Sequence, residues 1–133
     1  MAECAKSELL TDEDRARYQR HMMIAGWGEA GQQKVKAARV FVAGAGGLGS
    51  PASMYLAVAG VGRLVICDFD TPELSNLNRQ ILHNDSRIGM NKAESAKLTL
   101  EQLNPSIEVV AATARMEPDN IDELVADAHI IVD

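Results

Sequence analysis

The stretch Val40-Phe-Val-Ala-Gly-Ala-Gly-Gly-Leu-Gly49 decides the fold. Its first four residues are apolar without polar alternation, which predicts a strand buried on both faces of a parallel sheet. Gly44, Gly46 and Gly49 then fit the pattern G-x-G-x-x-G, with Gly47 as an additional glycine. Between a strand and a helix, this pattern lets the backbone turn tightly and approach a phosphate at the helix N-terminus. The stretch therefore predicts the first strand, loop and helix of a nucleotide-binding α/β fold.

The segments on either side extend this unit. Ser50–Ala59 is predicted to be a helix closed by Gly60, and the apolar run Leu64–Asp68 a second buried strand. The whole unit has about 30 residues, the size of a βαβ crossover. Upstream, Thr11 and the acidic residues after it predict a helix over about 12–23, and a second helix follows over about 29–37.

The alternation continues to the end of the sequence. After a polar segment over 69–89, the pattern predicts helices over about 91–103 and 118–126 and strands over 107–112 and 129–133. It indicates a Rossmann-like, doubly wound, mainly parallel sheet with strand order 3-2-1-4. We expect an N-terminal helical arm, 1–38, in the same domain as an ATP-binding Rossmann-like part, 39–133. Because the sequence stops on an apolar strand, we expect that part to be truncated after the fourth strand.

Composition excludes several classes of protein. The chain has 133 residues, is 47% apolar and carries a formal net charge of −6, which disfavours nucleic-acid and anionic-membrane binding. The sequence contains no apolar run long enough to span a membrane, and we expect no signal peptide, because the first residues lack an apolar core segment. Its two cysteines, Cys4 and Cys67, cannot build a disulfide framework or a zinc cage, and neither is predicted to be reactive. A reducing cytoplasm is the expected compartment.

An acidic residue follows the second strand at the position where nucleotide-binding folds hold a ribose. Asp68 lies 19 residues after Gly49, since 68 − 49 = 19. A carboxylate at that strand end accepts hydrogen bonds from two ribose hydroxyls. Loop and carboxylate together predict nucleotide binding; the alternative is a glycine turn needed only for helix–strand packing.

Polar and basic residues beyond Asp68 favour ATP over NAD. Ser75, Asn76 and Arg79 follow the second strand at its carboxyl end, and Arg79 offers a planar fork for phosphate oxygens. Lys92 occupies the first turn of a helix, where a cation opposes the helix dipole unless an anion binds there. The alternative interpretations are that Arg79 is an ordinary exposed surface arginine and that Lys92 is an ordinary solvated lysine.

Two further arginines precede the nucleotide fold. Arg17 and Arg20 are three residues apart and share one face of the first helix. With Arg79 and Lys92 they form a positive set in an otherwise acidic chain. Four cations around one binding loop suit a triphosphate better than the two phosphates of NAD.

Four segments carry a family resemblance: RYQRHMMIAGWGEAGQQKV over 17–35, VFVAGAGGLGSPASMYLAVAGVGRL over 40–64, ICDFDTPELSNLNRQILHNDSRIGMNKAESA over 66–96 and LNPSIEV over 103–109. They resemble the MoeB/ThiF/HesA family of adenylyltransferases, which are similar to ubiquitin-activating enzymes. The resemblance extends from about residue 12 to the end. It implies ATP-dependent adenylylation of the C-terminal Gly-Gly carboxylate of a small ubiquitin-like sulfur-carrier protein, in a molybdopterin, thiamine or related pathway. Acyl-adenylate and pyrophosphate are the implied products, and a homodimer the implied assembly.

The resemblance also implies roles for individual residues. Gly47 belongs to the loop at the nucleotide, and Asp68 binds the ribose. Asn76 and Arg79 face the phosphates, and Lys92 stabilises charge at the α-phosphate. Arg20 resembles an arm arginine that reaches the phosphates bound by the neighbouring subunit.

Other family features are not found in these 133 residues. The Mg²⁺ ligand is expected beyond Asp133, and a structural zinc site and the carrier-docking sheet are also expected there, so we assign no metal ligand. Two alternatives are an NAD-dependent oxidoreductase and a non-catalytic scaffold subunit of an activating enzyme. His21, His83 and His129 are predicted to be structural or surface groups, and Met22, Met23, Met54 and Leu56 to be core residues.

Overall fold

The computed structural model describes residues 9–133 and contains one four-stranded sheet. Strands β1 (Arg39–Ala43), β2 (Arg63–Cys67), β3 (Glu108–Ala112) and β4 (Ile130–Val132) are all parallel, in the order β3-β2-β1-β4. Register is direct across the centre, with Val40 opposite Leu64 and Ala43 opposite Cys67. The predicted Rossmann-like fold class and strand order are confirmed. Cys4 lies outside the described residues.

Six α-helices accompany the sheet within residues 9–133. They are α1 (Asp12–Arg17), α2 (Gln19–Met22), α3 (Gly28–Ala37), α4 (Gly49–Ala59), α5 (Lys92–Leu103) and α6 (Ile121–Val125). The first three precede β1, and the other three, α4, α5 and α6, connect successive strands as crossovers. Between β2 and α5 the chain forms two short 3-10 helices, Leu74–Asn76 and Asp85–Arg87. None of the described helices is long and apolar enough to cross a membrane.

The core lies between the sheet and the two long crossover helices. It contains Val40 and Val42 of β1, Leu64 and Ile66 of β2, and Ala57, Ala93, Ala96 and Leu100 of α4 and α5. Alanines on the helices allow a close approach to the bulkier strand residues. This packing fixes the N-termini of α4 and α5 at the carboxyl edge of the sheet.

The structure differs from the sequence prediction in the arm and at α6. The helix expected over 12–23 is broken at Tyr18, whose backbone (φ −105°, ψ 15°) ends α1 before α2 begins. The helix expected from Pro118 begins only at Ile121, so Asp119 precedes its first turn. Met23, expected in the core, is 73% exposed, whereas Met54 and Leu56 pack against the core.

Candidate nucleotide-binding site

The glycine loop joins the carboxyl end of β1 to the N-terminus of α4. Gly44 has φ +100°, and its N–H donates to Cys67 O on β2 at 2.9 Å. A Cβ on Gly49 would lie 2.0 Å from Gly44 O, so only glycine fits there. The Ser50 hydroxyl donates to Gly46 O at 2.6 Å and stabilises the first turn of α4. The loop is therefore tightly folded before any ligand binds.

Asp68 lies directly beside this loop. Its carboxylate accepts the Ala45 N–H on Oδ2 and the Asp70 N–H on Oδ1, both at 2.9 Å. Each carboxylate oxygen has a second acceptor site. The end of β2 therefore presents a fixed carboxylate that can accept further hydrogen bonds.

The N-terminus of α5 is attached to the same strand end. Asn91 caps the helix, since its Oδ1 accepts from the N–H groups of Ala93 and Glu94 at 2.8 and 3.2 Å. Its Nδ2 donates to Asp68 O at 3.0 Å, and Lys92 N–H donates to Asp70 O at 2.8 Å. This double attachment holds Lys92 next to Asp68.

Lys92 is 8% exposed, although it sits in the first turn of α5. Among residues 9–133, no hydrogen bond or ion pair holds its ammonium group. Both burial and the helix dipole disfavour a lone cation at this position. An anion bound beside the glycine loop would remove both penalties.

The segment after β2 covers the glycine loop. A Cβ built on Gly47 would lie 3.8 Å from the Arg79 side chain, and one on Gly46 would lie 3.7 Å from Gln80 Nε2. Arg79 itself is exposed; its guanidinium donates to Ser75 O at 3.2 Å and to Asn78 Oδ1 at 2.9 Å. The Asn76 carboxamide oxygen accepts from Glu73 N–H at 2.9 Å. The structure thus brings Arg79 against the loop, while the contacts of Ser75 and Asn76 lie within the same folded turn.

Two further residues lie in this region: Gln80, which has no predicted role, and His83, which is predicted to be a structural or surface group. Gln80 is 5% exposed, and its buried Oε1 has no hydrogen-bond partner in the described chain. His83 is 6% exposed and contacts the loop through Ala45 O. The only sequence signal was Gln80 as the last residue of S-N-L-N-R-Q, because the burial of both residues depends on tertiary packing.

A cavity of about 520 Å³ opens between the loop and the ends of β2 and β4. Gly44, Gly46, Gly49, Asp68 and Asp133 are among its lining residues. A larger cavity, about 970 Å³, runs along β3 and α5 but contains none of the predicted site residues. Within residues 9–133, no group of three or more His, Cys, Asp or Glu side chains could hold a metal ion.

The structure does not bring Arg17 and Arg20 to this loop. The Tyr18 hydroxyl, between them, accepts from Asn104 Nδ2 and lies 3.4 Å from the Ser106 hydroxyl, and its ring packs against Gly60, at the far end of α4. His21 contacts Gln32, which donates to Ala59 O at that same end. Eleven residues of α4 separate the two ends by about 16 Å. The four predicted cations therefore do not surround one loop of one chain.

Cys67 is a structural residue. It is fully buried, its thiol donates to Ala114 O at 3.3 Å, and burial raises the pKa of the thiol, with a further contribution from Asp68. A raised pKa disfavours the nucleophilic thiolate.

Sequence comparisons identify relatives over most of the chain. The chain is 44% identical to the molybdopterin-synthase adenylyltransferase of Haemophilus influenzae over 124 residues, covering 93% of this chain and 51% of that protein. It is 46% identical to the SAMP-activating enzyme E1 of Haloferax volcanii over 117 residues, covering 88% of this chain and 43% of that enzyme. The chain thus spans about half the length of these curated relatives.

Solved structures show the same fold. The Escherichia coli tRNA N6-threonylcarbamoyladenosine dehydratase TcdA, crystallised with ATP, superimposes with a TM-score of 0.84 at 30% identity, covering 92% of this chain and 50% of that one. The sequence model of the ThiF family matches residues 18–133. The match covers the glycine loop, Asp68, Arg79 and Lys92, and the chain therefore belongs to the ThiF family.

Proposed function

We propose that this chain binds ATP and supplies the nucleotide site of an adenylyltransferase. The proposed substrate is the C-terminal Gly-Gly carboxylate of a small ubiquitin-like sulfur carrier. One observation carries the proposal: Asp68 at the end of β2 is hydrogen-bonded both to the glycine loop and to the start of the helix that carries the buried Lys92. The Ala45 N–H donates to the Asp68 carboxylate, and Asn91 Nδ2 donates to Asp68 O. The names of the relatives in Haemophilus influenzae and Haloferax volcanii support the reaction class.

In this proposal the fixed backbone binds the nucleotide. Asp68 accepts hydrogen bonds from the ribose hydroxyls. Gly44, Gly46, Gly47 and Gly49 let the phosphates approach the backbone N–H groups at the N-terminus of α4, where the helix dipole also favours an anion. The buried, unpartnered Gln80 Oε1 is available to a donor of the bound ligand.

Ser75, Asn76, Arg79 and Lys92 are assigned to the phosphates. A carboxylate oxygen of the carrier attacks the α-phosphorus of ATP, an acyl–phosphate bond forms, and the bond to pyrophosphate breaks. Negative charge grows on the leaving pyrophosphate, and Arg79 and Lys92 stabilise it. Because the substrate supplies the nucleophile, catalysis consists of alignment and charge stabilisation. Mg²⁺ enters with ATP as part of the substrate, and we assign no described residue to it or to zinc.

We further propose that the protein is a homodimer in which Arg20 serves the partner's site. The anchoring of Tyr18 and His21 places Arg20 too far from the loop of its own chain. Large apolar side chains are exposed on the arm, at Met23 and Ile24, and on α4, at Tyr55 and Val58. Exposed apolar groups of this kind are typical of an interaction surface.

The reaction is tested by carrier-dependent exchange of pyrophosphate into ATP in the full-length protein. We expect Lys92→Ala to lower the exchange rate about 10²–10³-fold, by analogy with loss of one oxyanion-hole donor. Lys97→Ala is the matched control, because Lys97 lies on the same helix, is half-exposed and pairs only with Glu101 at 3.8 Å. Full exchange in Lys92→Ala would contradict the assignment.

A binding experiment separates ATP from NAD. A ligand at 100 times its Kd stabilises a protein by about 2.7 kcal/mol, which raises the melting temperature measurably. We expect stabilisation by MgATP and none by NAD. The reverse result would favour an oxidoreductase, and no effect of either nucleotide would favour a non-catalytic scaffold.

A further inference from the structure

His83 lies in a buried chain of hydrogen bonds that begins at the glycine loop. Its Nε2 is 2.8 Å from Ala45 O, and its Nδ1 is 2.8 Å from the Ser95 hydroxyl on α5. Arg87 reaches the same serine, with Nη1 3.2 Å from Oγ and 2.6 Å from the carbonyl oxygen. These hydrogen bonds thus connect α5 to the glycine loop through the His83 imidazole.

The roles of donor and acceptor are fixed along this chain. A carbonyl oxygen only accepts, so Nε2 must carry the proton that is shared with Ala45 O. In the neutral ring Nδ1 then accepts, and the Ser95 hydroxyl must donate to it. Arg87 only donates and so occupies a lone pair of that hydroxyl, which leaves the hydroxyl proton for His83. The Arg87 contact is therefore compatible with the histidine tautomer that the hydrogen bond to Ala45 O requires.

The hydrogen bond to Ala45 O determines where the next N–H points. In a trans peptide the C=O and N–H groups point in opposite directions. Holding Ala45 O towards His83 therefore turns the Gly46 N–H away from it. The neighbouring Ala45 N–H is held by Asp68 on the other side. Both peptides of the loop's tip are thus oriented by side chains before ligand binds.

Burial is the main factor that lowers the pKa of the His83 imidazole. The hydrogen bond to Ala45 O and the charge of Asp68 raise that pKa, and the charges of Lys92 and Arg87 lower it further. A neutral ring is the form that can accept from Ser95 and donate to Ala45 at once. The geometry and the lowered pKa thus agree on one protonation state.

We propose that His83, oriented by Ser95 and Arg87, is a positioning residue that presents the Gly46 N–H to a phosphate of the bound nucleotide. This inference rests on the proposed function, because it assumes that the glycine loop binds ATP. It predicts that ATP affinity depends on the N–H donor at Nε2 of His83. Loss of the Ser95 hydroxyl should weaken ATP binding less than loss of this donor.

A pair of substitutions separates the two ring nitrogens. The amide nitrogen of Gln can take the place of Nε2, whereas that of Asn corresponds to Nδ1. We expect His83→Asn to weaken ATP binding about tenfold in calorimetry, and His83→Gln to stay within about threefold of the parent; for scale, about 1 kcal/mol, the usual contribution of one hydrogen bond, is about fivefold. Urea unfolding of both variants controls for a general loss of structure.

Nuclear magnetic resonance adds a readout that is independent of activity. Long-range proton–nitrogen spectra should show the Nε2-protonated tautomer in the parent, and the Gly46 amide signal should move in His83→Asn but not in His83→Gln. Unchanged ATP affinity and an unchanged Gly46 signal in His83→Asn would overturn this inference. Failure of the parent to bind ATP would instead contradict the proposed function, while the tautomer result would still test the hydrogen-bond chain.

Discussion

At the scale of single residues, Lys92 shows how a locally unfavourable choice marks the site. A cation in the first turn of α5 faces the positive end of the helix dipole, and most of the Lys92 side chain is buried. The same helix end is held against the end of β2 through Asn91 and Asp70. The structure keeps the lysine in place despite these costs, which is expected where an anion binds.

Asp68 should control ATP affinity. We expect Asp68→Ala to weaken ATP binding by about 2–3 kcal/mol, because two charge-assisted hydrogen bonds to the ribose are lost. The substitution also releases the Ala45 N–H, which adds to the effect. Calorimetric titration with ATP measures it, and Glu101→Ala, a carboxylate near the opposite end of α5 from Lys92, is the control. Unchanged affinity in Asp68→Ala would remove this carboxylate from the nucleotide site.

His83 should make stability depend on pH. Because folding lowers the pKa of His83, the unfolded chain binds more protons as the pH falls below the ordinary histidine value of about 6.5. Stability is therefore fully present above that value and is lost as the pH falls towards the lowered folded-state pKa. Urea unfolding over this pH range should show a smaller loss for His83→Gln than for the parent. His129→Gln, at an exposed histidine, is the control for replacing a histidine in general.

At the scale of secondary-structure elements, Asn91 performs two separable tasks. Its Oδ1 caps α5 and its Nδ2 attaches the helix to Asp68 O. Serine also caps helices well but cannot reach both partners. We expect Asn91→Ala to be less stable than Asn91→Ser by about 1 kcal/mol in urea unfolding, because only alanine removes the cap.

The attachment to Asp68 gives a second outcome for the same variants. Both Asn91→Ser and Asn91→Ala should bind ATP more weakly than the parent, because both release the N-terminus of α5 from the end of β2. Equal stability of the two variants would contradict the cap, and parent-like ATP affinity in both would show that the attachment does not matter for binding.

Elements were predictable from the sequence where their ends are determined locally. Asn91 begins α5 because its side chain caps the helix, and Gly60 ends α4 because it adopts a left-handed conformation. The buried strands β1 and β2 are recognisable in the sequence as apolar runs. The break at Tyr18 was not predictable, because its hydroxyl bonds to Asn104, 86 residues away. For the same reason the burial of Gln80 was not predictable, and the prediction for His83 left structural and surface positions open. Gln80 lies beside Gly46 and His83 bonds to Ala45 O, both of which are distant in sequence.

At the scale of the whole molecule, the arm and the glycine loop lie at opposite ends of α4. Asn104 donates to both Tyr18 Oη at 2.7 Å and Ala57 O at 2.8 Å, which fastens the arm where α4 ends. The side chain of Tyr18 fills the space beside Gly60, where a Cβ would lie 2.6 Å from the ring. The arm is thus fastened at the end of α4 that lies opposite the glycine loop of its own chain. The boundary between arm and nucleotide-binding part at residue 38 stays a prediction.

Subunit mixing tests whether Arg20 acts across a dimer. An Arg20→Ala subunit and a Lys92→Ala subunit should each be weakly active alone in pyrophosphate exchange. In a mixed dimer, a site formed across the interface combines the Lys92 of one subunit with the Arg20 of the other. If Arg20 acts in trans, one of the two sites then lacks both residues and the other has both, so activity recovers towards half of the parent's. If Arg20 acts in its own chain, each site lacks one residue and no recovery follows.

Exchange of subunits, followed by mass spectrometry of differently tagged chains, is the necessary control. Absence of recovery in mixtures that have exchanged would refute the trans assignment. Recovery would show that the arm, which is anchored about 16 Å from the glycine loop of its own chain, supplies Arg20 to the loop of the partner.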